Sequence, residues 1–240
     1  MKMYKCILAV ILSVFLFAAC EKETAGLSRI TYYATFEMEG DEYMFIESNS
    51  TFTEPGVKAF EDETELPVDI KGTVNTAVPD IYTIFYSAKN SDGFSKTIAR
   101  KVIVYDPTPS ALESGLYKVS PLSNRTPLNS GPGKSGGAEY KSAPIIIIYQ
   151  ISSGEFYTTD FLGGYYEVGR GYGSRYAMTG TFLFNEEDNT IELAESYCEG
   201  FGDSLDDVVN GVLNPKTKTL TYTAQYAGTY DFNVIATKIN

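Results

Sequence analysis

From Arg29 onward the chain alternates between apolar and polar positions. In "RITYYATFEM", Ile30, Tyr32, Ala34 and Phe36 fall on one side. In "IYTIFYSA", Ile81, Thr83, Phe85 and Ser87 oppose Tyr82, Ile84 and Tyr86, and "TIARKVIVY" keeps the same period. A period of two predicts β-strands. Turn signals such as "EGDE", "SNS", "VPD" and "KNSDG" separate the runs at short intervals. "ESYCEGFGDSLDDVV" comes nearest to a helical period, and Gly200 and Gly202 interrupt it. The expected fold class is all-β.

"YDPTPSA" carries two prolines and ends the first group of strands. Proline stiffens a linker and cannot donate to a ladder. The expected organisation is a first β unit at 29–106, a linker at 107–112 and a second β unit at 113–240. The second unit offers eight candidate strands: "GLYKVS", "APIIIIYQIS", "EFYTTDFL", "YAMTGTFLF", "TIELAES", "VVNGVLN", "TLTYTAQY" and "TYDFNVIATKI". That number of short strands fits an antiparallel barrel or a sandwich. The last two read as a hairpin turning at Gly228.

The start of the chain has a different character. In "MKMYKCILAVILSVFLFAAC", Lys2 and Lys5 precede an apolar run, Ile7 to Phe17, too short to span a bilayer as a helix. Ala18, Ala19 and Cys20 follow. This resembles the lipobox of bacterial lipoproteins, with Phe17 where leucine is usual. The resemblance implies a signal peptide at 1–19, a lipid on Cys20 as the link to the membrane, and a polar tether at 20–28. Cys6 then leaves with the signal and only Cys198 remains in the folded part, so no disulfide is expected there. Glu21, Lys22 and Glu23 resemble the acidic surface-export signals of Bacteroidota lipoproteins.

The first β unit resembles the immunoglobulin-like modules of bacterial surface proteins. The residues that carry the likeness are Pro55, Gly56, Val57, Ala59, Gly72, Val74, Thr76, Pro79, Tyr82, Ile84, Tyr86, Asp92, Gly93 and Val104. It implies a seven-stranded sandwich that spaces or presents a neighbour. As a whole, the chain resembles two-domain Bacteroidota surface lipoproteins found beside glycan uptake systems of the starch-utilisation type. That implies an outer-membrane address, with a glycan or an outer-membrane uptake complex as partner.

Composition narrows the chemistry. The 240 residues include no His, which excludes Ser-His-Asp and Cys-His nucleophile systems and His-ligated metals. A net charge of −12 argues against nucleic acid, whose phosphates repel such a chain. "LNSGPGKSGG" ends like a phosphate-binding loop, but Leu128 stands where its first glycine belongs. "GRGYGSRY" misses the dinucleotide pattern at Ser174. The acid runs Glu186-Glu187-Asp188 and Asp206-Asp207 read as solvated turns, whereas glycosidase carboxyls usually sit on separate elements of a cleft. Catalytic residues, metal ligands and cofactors are not expected.

One stretch stands out. "TDFLGGYYEVGRGYGSRYAMTG", 159–180, holds six glycines and four tyrosines. Glycine lets backbone approach a ligand closely, and tyrosine offers a ring and a hydroxyl. One reading is an exposed platform for a sugar or a partner, with Tyr165, Tyr166, Arg170, Tyr172, Arg175 and Tyr176 in contact. The other is that alternate rings fill the core while glycines make the bends. The functional expectation is a lipid-anchored, non-catalytic binding protein. The alternatives are a structural or adhesion spacer and, last, an Asp/Glu-dependent hydrolase.

Overall fold

The computed structural model describes residues 31–127, 140, 142 and 144–239. The expected signal, Cys20, the tether and the 128–137 loop lie outside the described residues.

The first unit is a sandwich of seven strands. One sheet orders β1 (Thr35–Met38), β3 (Val57–Glu61) and β4 (Thr64–Leu66) as β1-β3-β4. The other runs β2-β7-β6-β5, from β2 (Tyr43–Glu47), β5 (Val68–Lys71), β6 (Asp80–Lys89) and β7 (Ser95–Tyr105). β2 pairs with β7 in parallel, Tyr43 opposite Lys101, and the long β6–β7 pair is antiparallel. The alternation of β6 and β7 sends Ile84, Tyr86, Arg100 and Val102 inward. Arg100 is fully buried. It pairs with Glu54, donates from Nε to the Asp41 carbonyl at 3.1 Å and from Nη2 to the Glu39 carbonyl. The first strand begins later than the alternation suggested, because Tyr32 and Tyr33 precede β1 and are exposed.

The second unit is a closed antiparallel barrel, which decides between the two architectures left open by its sequence. Its strands are β8 (Gly115–Val119), β10 (Ile145–Ser152), β11 (Glu155–Thr158), β12 (Thr179–Asn185), β13 (Thr190–Tyr197), β14 (Asp207–Asn214), β15 (Thr219–Tyr226) and β16 (Tyr230–Ile239). β16 closes the ring by pairing β15 along its length and β8 over Ala236–Ile239. The first half of β16 instead pairs a ninth strand, β9 (Asn124–Pro127), which is polar and unmarked by any alternation. β15 alternates strictly, with Leu220, Tyr222, Ala224 and Tyr226 inside and three threonines and Gln225 outside. Rings and branched side chains fill the interior, so the barrel is a packed core. Leu112, within the expected linker, is 1% exposed and belongs to that core.

β10 reads as an almost unbroken apolar run because it is covered on both faces. Ile146 and Ile148 face the barrel core, while Ile147, Tyr149 and Ile151 pack on Tyr43, Phe45, Ile81, Ile103 and Tyr105 of the sandwich. A backbone bond from Asp106 N–H to the Gln150 carbonyl, 2.8 Å, crosses the same junction. Burial of such side chains is worth ~1.5–3 kcal/mol each, and an apolar junction of this kind restricts relative domain motion.

Candidate functional site

The loop between β11 and β12 crosses one end of the barrel. Asp160, fully buried, holds both ends of it. Its Oδ1 accepts the N–H groups of Leu162 at 2.7 Å and Met178 at 3.1 Å, and Oδ2 accepts that of Gly164 at 2.9 Å. Burial outweighs these donors and, with the charge of Glu167, pushes the Asp160 carboxyl up to about 7. Phe161, Leu162 and Met178 enter the barrel core beneath the loop.

Gly164, at φ +79°, then turns the chain into a single π-helical turn, Tyr165–Gly169. A Cβ on Gly164 would lie 2.5 Å from Pro144 Cβ, so no other residue fits. Bonds from Gly169 N–H to the Gly164 carbonyl and from Arg170 N–H to the Tyr165 carbonyl, both 2.9 Å, close the turn. It drives Tyr165 inward, with ring centroids 5.1 Å from Phe232 and 5.5 Å from Tyr140. Tyr165 is 0% exposed, which corrects its placement among the contact residues: it is core. Arg125 lies beneath the same rim, its guanidinium 4.9 Å from the Tyr165 ring and 4.4 Å from that of Tyr230.

Tyr166, one residue on, stays at the rim. Tyr172 N–H donates to its carbonyl at 3.0 Å and brings the two rings within 5.9 Å, 18° from parallel. Tyr176 meets Tyr172 edge-on at 5.2 Å. A second loop, 198–206 between β13 and β14, completes the group with Phe201. Its ring lies 5.0 Å from both Tyr166 and Tyr176 and 6.0 Å from Tyr226. Gly200 N–H and the Cys198 thiol both donate to the Arg175 carbonyl, at 2.6 and 3.7 Å, and the Arg175 guanidinium pairs with Glu199 at 3.2 Å. Burial raises the Cys198 thiol above its ordinary range and pushes the Tyr226 hydroxyl up to about 12.

The six residues expected from the sequence thus divide. Tyr166, Tyr172 and Tyr176 form one cluster with Arg175 at its edge, Arg170 is exposed on the same loop, and Tyr165 lies below. Tyr172 is 47% exposed and Phe201 40%, although both rest on other rings. Sequence reasoning missed Phe201, Tyr226 and Arg125. Phe201 had a signal: it sits between Gly200 and Gly202, the same glycine–ring pattern that marked 165–176.

The acidic runs serve turns. Asp188 Oδ1 accepts the N–H of Thr190 at 3.1 Å and its hydroxyl at 2.7 Å, and Asp206 accepts Gly228 N–H at 2.6 Å. Among the described residues no three acidic or thiol side chains group as a metal site would require.

Comparison with known proteins follows this division of the chain. The family described as "Bacterial surface protein, Ig-like domain" matches residues 36–104, and a family described as a C-terminal domain matches 106–238. No curated protein matches the chain. Among solved structures, the crystal structure of the lipoprotein BT2262 from Bacteroides thetaiotaomicron is 41% identical, with a TM-score of 0.72, covering 86% of this chain and all of that one.

Proposed function

From the premise that this chain belongs to the family of two-domain bacterial lipoproteins that includes BT2262, we propose a non-catalytic envelope protein. It is anchored in the outer membrane through lipid on Cys20 and binds glycan at the aromatic rim of its barrel. The observation that carries the binding reading is the state of Tyr172 and Phe201. Each is nearly half exposed, yet each is fixed by ring contacts to Tyr166 and Tyr176. Exposed rings held in place in advance lose little entropy on binding. They offer apolar faces to the C–H faces of a sugar, and the hydroxyl of Tyr172 together with the Arg175–Glu199 pair offers donors and acceptors at the edge.

The non-catalytic part has chemical support. The sequence lacks His, and the acids Asp160, Asp188 and Asp206 each hold backbone N–H groups. A second reading is a protein partner, such as an outer-membrane uptake complex of the starch-utilisation type. The Tyr, Phe and Arg content of the rim favours it, because such residues dominate protein interfaces.

A glycan array probed with the chain from Glu21 tests the first reading. Binding to one saccharide class, lost in Tyr172→Ala and Phe201→Ala with melting unchanged, supports it. Silence on the array with capture of an outer-membrane protein at the same residues supports the second. Turnover of any saccharide overturns the non-catalytic part of both.

A further inference from the structure

A second group of exposed rings lies at the opposite end of the sandwich. Tyr32 is 59% exposed, Tyr33 56% and Phe94 50%, and the rings of Tyr33 and Phe94 lie 6.0 Å apart. Asn90 ties them together. Its Nδ2 donates to the Tyr32 carbonyl at 2.8 Å, and its Oδ1 accepts Phe94 N–H at 2.7 Å. The chain therefore enters the sandwich beside the β6–β7 turn. The barrel packs on the other end of those strands, at Ile81, Ile103 and Tyr105. At ~3.3 Å per residue, the eight steps from Ser95 to Ile103 on β7 separate the two ends by about 26 Å.

We infer that Tyr32, Tyr33 and Phe94 form a membrane-facing foot that rests in the headgroup layer of the bilayer holding the lipid. The inference rests on the lipid-anchor part of the proposed function. Twelve steps of chain connect Cys20 to Tyr32, so even fully extended they keep this end within ~40 Å of the membrane. Because the chain enters here, this is the end of the sandwich nearest the anchor along the chain. Its chemistry suits that layer. Tyrosine prefers the interface because it has an apolar ring and a wet hydroxyl. The surroundings mix signs. Lys89 and Lys96 flank the turn, with Lys96 Nζ 5.9 Å from the Phe36 ring, while Glu61 holds Ser91 through N–H and hydroxyl bonds of 2.8 Å. Asp62, Glu63 and Asp92 add acids at the same end, so a zwitterionic surface fits better than an anionic one. The foot would stand the molecule on its sandwich, with the barrel held clear of the bilayer.

The chain contains no Trp, so a single introduced Trp reports its own position. The chain from Cys20 is joined through that thiol to a maleimide lipid in phosphatidylcholine vesicles, some carrying acyl chains brominated near the headgroup. Trp emission is read in Tyr33→Trp, in Phe94→Trp and in Leu183→Trp, a site 48% exposed on the barrel wall. A severalfold loss of emission at positions 33 and 94, with position 183 unaffected, is the expected result. Equal emission with and without bromine at 33 and 94 overturns the inference, and quenching at 183 alone overturns it too. Because coupling is chemical, the result does not depend on natural acylation. The mass of Cys20 in protein recovered from its host tests that part separately.

Discussion

Gly200 lies flat against the ring of Tyr176. A Cβ built on Gly200 would sit 2.7 Å from Tyr176 Cδ1, and the Gly200 N–H donates to the Arg175 carbonyl at 2.6 Å. This contact joins the two loops that make the rim. Gly200→Ala forces the Tyr176 ring away and is expected to cost ~1–3 kcal/mol, the usual range for overpacking. In a Tyr176→Ala background the same change should cost little, because the atoms it strikes are gone. Urea unfolding of the four proteins in this cycle measures the coupling. Equal costs in both backgrounds would mean that the loops are not held together here.

Tyr165 and Tyr172 are seven residues apart and opposite in role. Tyr165→Ala removes a fully buried ring from the barrel core and is expected to cost ~3–5 kcal/mol. Tyr172→Ala removes a ring that is 47% exposed and should cost under ~1 kcal/mol, since its neighbours stay packed. Tyr166→Ala falls between, because its ring touches Tyr165, Phe232 and Phe201. Denaturant midpoints rank the three. If Tyr172→Ala proves as damaging as Tyr165→Ala, the rim is structural and the binding proposal loses its main support.

The same pair explains how far the sequence could be read. All eight barrel strands carry alternating or continuous apolar patterns and each was legible, although β11 stops at Thr158 and β12 starts at Thr179, so the apolar residues of 159–162 and 176–178 belong to the loop between them. Closure was not, because it depends on β16 dividing its pairing between β8 and β9, which no local pattern encodes. β9 itself, Asn-Arg-Thr-Pro, has no apolar face to announce it. The seven strands of the sandwich followed from the turn and glycine pattern of its family. Its contact with the barrel was hidden, although the continuous run of β10 held the clue that both faces are covered. At the rim, adjacent Tyr165 and Tyr166 looked alike. A π-helical turn separates them, and its cause is a positive φ at Gly164 that composition alone cannot place. Phe201 and Arg125 reach the site from segments far along the chain. The glycines on either side of Phe201 repeat the pattern of 165–176 without showing that the two loops meet, and Arg125 lies on a strand with no pattern at all.

Arg100 and Glu54 form the ion pair of the sandwich core, with the guanidinium fully buried and within 5.7 Å of the Tyr86 ring. Glu54→Ala leaves that charge without its partner and is expected to cost ~3–5 kcal/mol. Replacing both, Arg100→Met with Glu54→Leu, should recover most of the loss, because an apolar pair of similar volume avoids the desolvation cost. Thermal melts of the wild type and the two variants give the comparison. A double variant as unstable as Glu54→Ala would show that the bonds to the Asp41 and Glu39 carbonyls matter more than the charge pair.

Asp160 gives the rim a pH dependence with a definite sign. Its carboxyl is raised from 3.8 to about 7 in the folded protein, so the folded state holds a proton that the unfolded state has already released between those values. The contribution to stability is fully present below about pH 4 and is lost as pH rises through 7. Other carboxylates pull the opposite way at the acid end. Glu113, lowered by its bonds to Lys218 and Lys238, loses its contribution as pH falls through its folded value. The window that isolates Asp160 is therefore about pH 5.5 to 8. Across it, the unfolding free energy of the wild type should fall as pH rises. Asp160→Asn should flatten that slope while lowering stability throughout, because an amide can accept from Leu162 and Met178 but presents a donor to the Gly164 N–H. Unfolding in urea at several pH values, for both proteins, reads slope and offset independently. A wild-type slope that survives the substitution would place the titrating group elsewhere. A variant as stable as the wild type would show that the Gly164 bond does not hold the π-helical turn.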